Sequence, residues 1–268
     1  MTTIPTKTIG HIDFRAGLSR LRILVGPLVL LALWQLGSST GLIPERTLAA
    51  PLTVITTGAE LIASGKLQEH LLVSLGRAAT GLALGVAIGV VLAVAAGLFR
   101  IGEDLIDGNM QILRAIPGLA LVPLAIVWFG IGEEVKVFLV VFATTFPIYL
   151  NTHAAIRGVD PRYAELARTV ELGRWKLIRK VVLPGALPGF FTGLRFATAI
   201  SWLVLVVSEQ INASSGIGFL MTQARSFNQT DVIVVGLAVY GLLGLTSDLL
   251  VRFIERKTLS WRRTFEAR

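Results

Sequence analysis

Long apolar runs bounded by short polar stretches divide the chain into six segments: Ile23–Leu42, Gly76–Phe99, Gln111–Ile131, Val135–Ile156, Leu187–Ile211 and Asp231–Phe253. Each reaches the roughly 20 residues that a helix needs to cross about 30 Å of hydrocarbon. Only a short turn around Gly132–Glu134 separates the third from the fourth, so those two form a helical hairpin. The pattern predicts an all-α integral membrane protein with six transmembrane helices over residues 23–256. Between the first two spans, Ile43–Leu75 is long for a simple connection. Within it, Val54, Ile55, Leu61 and Ile62 recur at helical spacing, which predicts a short surface helix over Pro51–Ala63.

Composition agrees with the pattern. Apolar residues make up 53% of the 268, charged residues only 16%, and the mean hydropathy is +0.71. A soluble domain carries about 25% charged residues. The formal net charge of +8 does not point to nucleic acid, because the bases lie between apolar spans and leave no soluble basic domain. With no cysteine, disulfides and thiolate metal sites are excluded, and three scattered histidines argue against a metal site.

The bases set the orientation. With the N-terminus inside, the inner pieces Met1–Arg22, Arg100–Arg114, Arg157–Ala186 and Arg252–Arg268 hold 4, 2, 7 and 6 lysines and arginines. That is 19 of the chain's 25, against 5 outside (Arg46, Lys66, Arg77, Lys136 and Arg225). This asymmetry predicts both termini in the cytoplasm, with residues 1–22 and 257–268 as tails and 157–186 as the principal inner loop. A cleavable leader ending near Leu48–Pro51 is the competing reading of the first span. The long polar start and the five further spans weigh against it.

The inner loop stands apart from its surroundings. Asp160-Pro161 is a helix start, an N-cap acceptor followed by proline at the first helical position. Tyr163, Leu166, Ala167 and Val170 then share one face, Leu172-Gly173 interrupts, and Trp175, Ile178 and Val182 share a second face until Pro184 ends the run. This predicts two short amphipathic helices at the membrane surface. Anionic lipid is one partner for such bases. Glu165 and Glu171 are unwelcome against it and favour a protein.

The block Glu165–Pro184 resembles the EAA loop of ABC-importer permeases: Glu-Ala-Ala, three residues, Gly, nine residues, Ile, any residue, Leu-Pro. Glu165, Ala167, Val181, Leu183 and Pro184 fall at the motif's positions, while Leu166 replaces the first alanine and Glu171 the glycine. With that glycine absent, Gly173 is expected to supply the turn and lengthen the first helix by about half a turn. Beyond the loop, "LRAIPGLALVPLAIVWFGIG" (Leu113–Gly132), "FPIYLNT" (Phe146–Thr152), "NASSGIGFLM" (Asn212–Met221) and "QTDVIVVGLAVYGLLG" (Gln229–Gly244) are similar to permeases for sulfonates, taurine and nitrate, above all those for aliphatic sulfonates. The resemblance implies the type I importer permease fold in a bacterial inner membrane. It also implies a homodimer around a central pathway and an extracytoplasmic binding protein. Two ATPase subunits would be engaged through Glu165, Leu166, Ala167, Glu171, Gly173, Val181, Leu183 and Pro184. ATP and magnesium would belong to those ATPases, with no cofactor held by this chain. Taurine, nitrate and a thiamine precursor are alternative cargoes.

No catalytic apparatus is legible. "SGKL" (Ser64–Leu67) lacks the leading glycine and following Ser/Thr of a phosphate loop. Arg195, inside the fifth span, is either an electropositive point for an anionic substrate or a base that snorkels or pairs with Asp248, and the pairing is favoured. Thr144, Thr145, Ser201, Ser208 and Glu209 are candidates for lining the pathway, against helix–helix hydrogen bonding as the alternative. Gly81, Gly85 and Gly89 mark a close helix approach, within the chain or across a dimer. Pro117, Pro123 and Pro147 are expected to kink the third and fourth spans. An ion-coupled secondary transporter is a second class. It requires acid or histidine at the membrane midplane, for which Glu209, near a span end, is poorly placed. A scaffold whose loop recruits a partner other than an ATPase is a third.

Overall fold

The computed structural model describes residues 14–261; the remainder of the two expected tails lies outside the described residues. Eleven helices follow in order among them, with no strand. α1 (Phe14–Ser39) covers most of the first apolar run, and α2 (Pro51–Ala63) is the short helix expected after it, with matching bounds. Proline at its first helical position has no amide hydrogen to lose there.

α3 (Lys66–Leu98) is 33 residues long, ten residues longer at its start than the apolar run suggested. Lys66, Gln68, Glu69 and His70 hid this first part from hydropathy, but Leu67 and Leu71 pack against the later helix α10 (Ile217–Ser226). At 1.5 Å per residue α3 runs about 50 Å, well beyond the hydrocarbon. The third span is the clearest departure. In place of one helix over Gln111–Ile131 there are α4 (Arg100–Leu113), a 3₁₀ turn (Gly118–Leu121) and α5 (Val122–Phe129), bent by 86°. Pro117 is extended at the break, with φ −61° and ψ 117°, and proline disfavours helical geometry in the residue before it. Pro123 starts α5 rather than kinking it.

α6 (Glu133–Arg157) carries Pro147 inside an unbroken helix and sits between α3 and α9 (Leu183–Asn212), its two most extensive neighbours. Both approaches depend on glycine. A Cβ on Gly81 would lie 2.6 Å from Val140, and one on Gly89 2.8 Å from Ile148. Across the other face, a Cβ on Gly193 would lie 2.7 Å from the Pro147 carbonyl oxygen. Without side chains at these positions the backbones approach closely, which is how helices associate where no hydrophobic effect drives them. The glycine stripe of α3 therefore faces α6 of the same chain. α11 (Thr230–Thr258) closes the bundle against α9, α10 and α2.

Candidate functional site: the connecting loop and the opposite polar cluster

The loop between α6 and α9 begins as the sequence specifies. Asp160 Oδ1 accepts the Arg162 amide at 2.9 Å, opening α7 (Pro161–Thr169). The C-terminus of α7 departs from expectation. Glu171 itself adopts a left-handed conformation, φ 53°, and the Leu172 amide returns to the Ala167 carbonyl at 2.7 Å. This is a Schellman closure with glutamate at the position glycine normally takes. Gly173 is extended, with φ −60° and ψ 150°, and serves as N-cap of α8 (Arg174–Leu177). The turn therefore stays at position 171, and α7 is not lengthened.

Pro184 does not end the second helix. α8 passes through a π turn (Ile178–Val182) into α9, giving one helix over Arg174–Ile211. The Leu183 amide bonds to the Ile178 carbonyl, five residues back. A wide turn immediately before proline relieves the clash of its ring with the carbonyl four residues earlier. The second half of the loop is thus the first turns of the fifth span, and Trp175 lies on one helix of 38 residues.

Of the expected α7 apolar face only Ala167 is buried, at 5% exposure. Tyr163, Leu166, Val170 and Trp175 stand 55–77% exposed, and Glu165, Glu171 and Gly173 are also at the surface. The loop therefore presents large apolar side chains interleaved with carboxylates, a surface unsuited to water alone.

At the opposite end of the bundle lies a buried ionic cluster that the sequence did not reveal. Glu209, 1% exposed, accepts from Ser74 Oγ at 2.9 Å, Arg77 Nη1 at 2.6 Å, the Gly218 amide at 2.8 Å and Tyr240 Oη at 2.9 Å. Arg77 spends its other N–H groups on Glu133, on the Ser215 carbonyl at 2.7 Å and on Ser215 Oγ at 3.1 Å. Lys136 Nζ lies 3.3 Å from Glu133. Two carboxylates and two bases thus tie α3, α6, α9, α11 and the segment before α10. Gly216, φ 107°, turns that segment so that the Gly218 amide reaches Glu209. Arg77 had counted only as one outer base. The legible signal was a glutamate and an arginine both placed at the same end of apolar helices, where an unpaired charge is costly.

The remaining pathway candidates are engaged within their own helices. Thr144 and Thr145 bond to the Val140 and Val141 carbonyls, each at 2.7 Å, Ser201 to Thr198 at 2.7 Å and Ser208 to Leu205 at 2.9 Å. All four are buried. Arg195 Nε donates to Asp248 Oδ1 at 3.2 Å, and Arg252 holds the other oxygen at 2.6 Å.

The chain is thus a multi-span membrane bundle, glycine-packed around one central helix, with an exposed amphipathic loop leading into a helix that traverses it. The chain belongs to the family of binding-protein-dependent transport system inner membrane components, whose pattern matches residues 85–260. It is 45% identical to the "Putative aliphatic sulfonates transport permease protein SsuC" of Escherichia coli (strain K12) over 88% of this chain and 89% of that one. It is 40% identical to the protein of the same name from Bacillus subtilis (strain 168), over 90% and 87%. The taurine transport system permease protein TauC of Escherichia coli (strain K12) is 32% identical over 87% and 86%. Among solved structures, a chain of an amino acid ABC transporter superposes with a TM-score of 0.60 at 17% identity, covering 74% of this chain and 97% of that one. The inward-facing MetNI methionine ABC transporter gives 0.52 at 20%, covering 70% and 94%. The fold is that of type I ABC importer permeases.

Proposed function

We propose that this chain is the non-catalytic permease subunit of an ATP-driven, binding-protein-dependent importer of aliphatic sulfonates. Two copies enclose the pathway in the bacterial inner membrane with both termini cytoplasmic. Each docks Glu165–Pro184 on one ATPase subunit, which holds the ATP and magnesium, and an extracytoplasmic binding protein delivers the cargo. One observation carries this reading: the exposed Leu166, Val170 and Trp175, flanked by Glu165 and Glu171, sit at the root of a helix that continues through the membrane. Closure of the ATPases moves these roots together, and the long helices carry the displacement to the far end of the bundle. Nucleotide thereby biases the pathway, because the loop occupies different positions in its two states.

Sulfonate as cargo is supported by the identity to the two SsuC proteins, which exceeds that to TauC. The test is uptake in liposomes containing this chain, its ATPase and its binding protein. Butanesulfonate should accumulate only with ATP, and taurine, nitrate or a thiamine precursor should compete weakly. Accumulation driven by an ion gradient without ATP would instead establish secondary transport.

A further inference from the structure

A groove of about 530 Å³ opens between α3, α6 and α9 in the half of the bundle nearest the loop. Its walls are almost wholly apolar, with Val90 and Val94 of α3, Ile156 of α6, and Leu183, Leu187 and Phe190 of α9. One polar side chain interrupts them. Thr152, 5% exposed, has a hydroxyl with no hydrogen-bond partner among the described residues. Thr144 and Thr145, two turns earlier on the same helix, both return theirs to a carbonyl.

Bases lie just beyond the loop end of this groove, on α6 and on the helix that becomes α9. Arg174 lies against the end of α3, donating from Nη2 to the Leu98 carbonyl at 3.2 Å, one turn beyond Val94. Arg157 directly follows Ile156, and its Nη2 is 3.1 Å from Glu103. Arg179 and Lys180 precede Leu183 by about one turn of the same helix and make no ion pair with a described residue. An apolar slot within spanning helices is bathed in hydrocarbon, and a basic rim at the headgroup level selects for negative charge.

We propose that this groove is a resident site for an anionic phospholipid of the leaflet at the loop end. One acyl chain lies along Val90, Leu187 and Phe190, the ester region reaches Thr152, and the phosphate sits among Arg157, Arg174 and Arg179. The site shares Arg174 and Arg179 with the segment that turns into α9, so the lipid braces the root of that helix against α3 and α6.

Native mass spectrometry of the full chain, released from mild detergent, tests this with phosphatidylglycerol and phosphatidylcholine of identical chains as probes. The wild type should retain phosphatidylglycerol over phosphatidylcholine. Replacing Arg174 and Arg179 by glutamine should erase that preference at roughly fivefold per base, with phosphatidylcholine, whose choline already offsets its phosphate, weakened less. Ala87 is exposed at the groove's edge, so Ala87→Phe fills the slot without crowding the core and should displace both lipids. Equal retention of the two lipids by the wild type would reduce the groove to ordinary annulus and overturn the proposal. So would an Ala87→Phe variant that keeps its lipid, or one that loses dimer and not lipid, which would make the groove a contact between copies. Because the readout needs no ATPase or cargo, it is independent of the transport assay.

Discussion

Arg77 and Glu209 meet at 2.6 Å in a site where their side chains are 3% and 0% exposed. They come from α3 and from the far end of α9, 132 residues apart in sequence. Arg77 continues to Glu133 and Ser215, so this single guanidinium joins three parts of the chain at the end of the bundle opposite the loop. The loop leads directly into one end of α9, and Glu209 anchors the other.

Removing Arg77 leaves the buried Glu209 carboxylate without its opposite charge, whereas removing Glu209 leaves Arg77 still paired with Glu133. Arg77→Met should therefore destabilise the protein by about 3–5 kcal/mol and Glu209→Leu by less. The double variant should lose less than the two losses combined, because neither charge is then stranded. Thermal unfolding in detergent across the four proteins checks this. Strict additivity would show that the two residues act independently.

Gly85 faces Thr144 so closely that an added side chain has no room. Gly85→Val should cost about 1–3 kcal/mol through overpacking, and Gly76→Val, where an added Cβ meets nothing within 4 Å, should cost far less. The same unfolding experiment distinguishes them. Equal effects would mean that the α3–α6 approach is not a tight one.

Glu171 holds a left-handed conformation that disfavours a side chain by roughly 1–2 kcal/mol. Glu171→Gly should therefore slow hydrogen exchange over α7, and Glu171→Val should speed it. If both variants exchange alike, the Schellman turn does not govern the stability of this helix.

Pro184 sits just beyond the π turn at Ile178–Val182. Pro184→Ala restores the missing amide and lets that turn tighten, rotating α8 and its Trp175 relative to the span. The variant should remain as abundant and as stable as the wild type, while ATP-dependent uptake falls several-fold. Undiminished uptake would show that the register of α8 does not matter to coupling.

Hydropathy made the helical membrane fold legible, and apolar residues at helical spacing located α2. They missed what depends on pairing between distant residues. Lys66–Leu75 looked polar in isolation and is helical because Leu67 and Leu71 pack on α10. Gln111–Ile131 looked continuous because apolar composition conceals the two prolines' missing amides. The loop's N-cap was readable from Asp160-Pro161, a purely local signal. Its C-terminal turn was not, since a glutamate in a glycine conformation follows from the surrounding backbone and not from its own preference. Arg77 and Glu209 carry the same lesson, with no local feature that announces a partner so far along the chain.

The most direct measurement is co-purification of the ATPase with the tagged full chain, beside a Glu165→Arg variant. Glu165 is exposed on α7, so its reversal spares the fold. Retention of the ATPase by the wild type and its loss from an equally abundant variant is the predicted result. A folded wild-type chain that brings down no ATPase, or a variant that binds it undiminished, would contradict the coupling role of Glu165–Pro184.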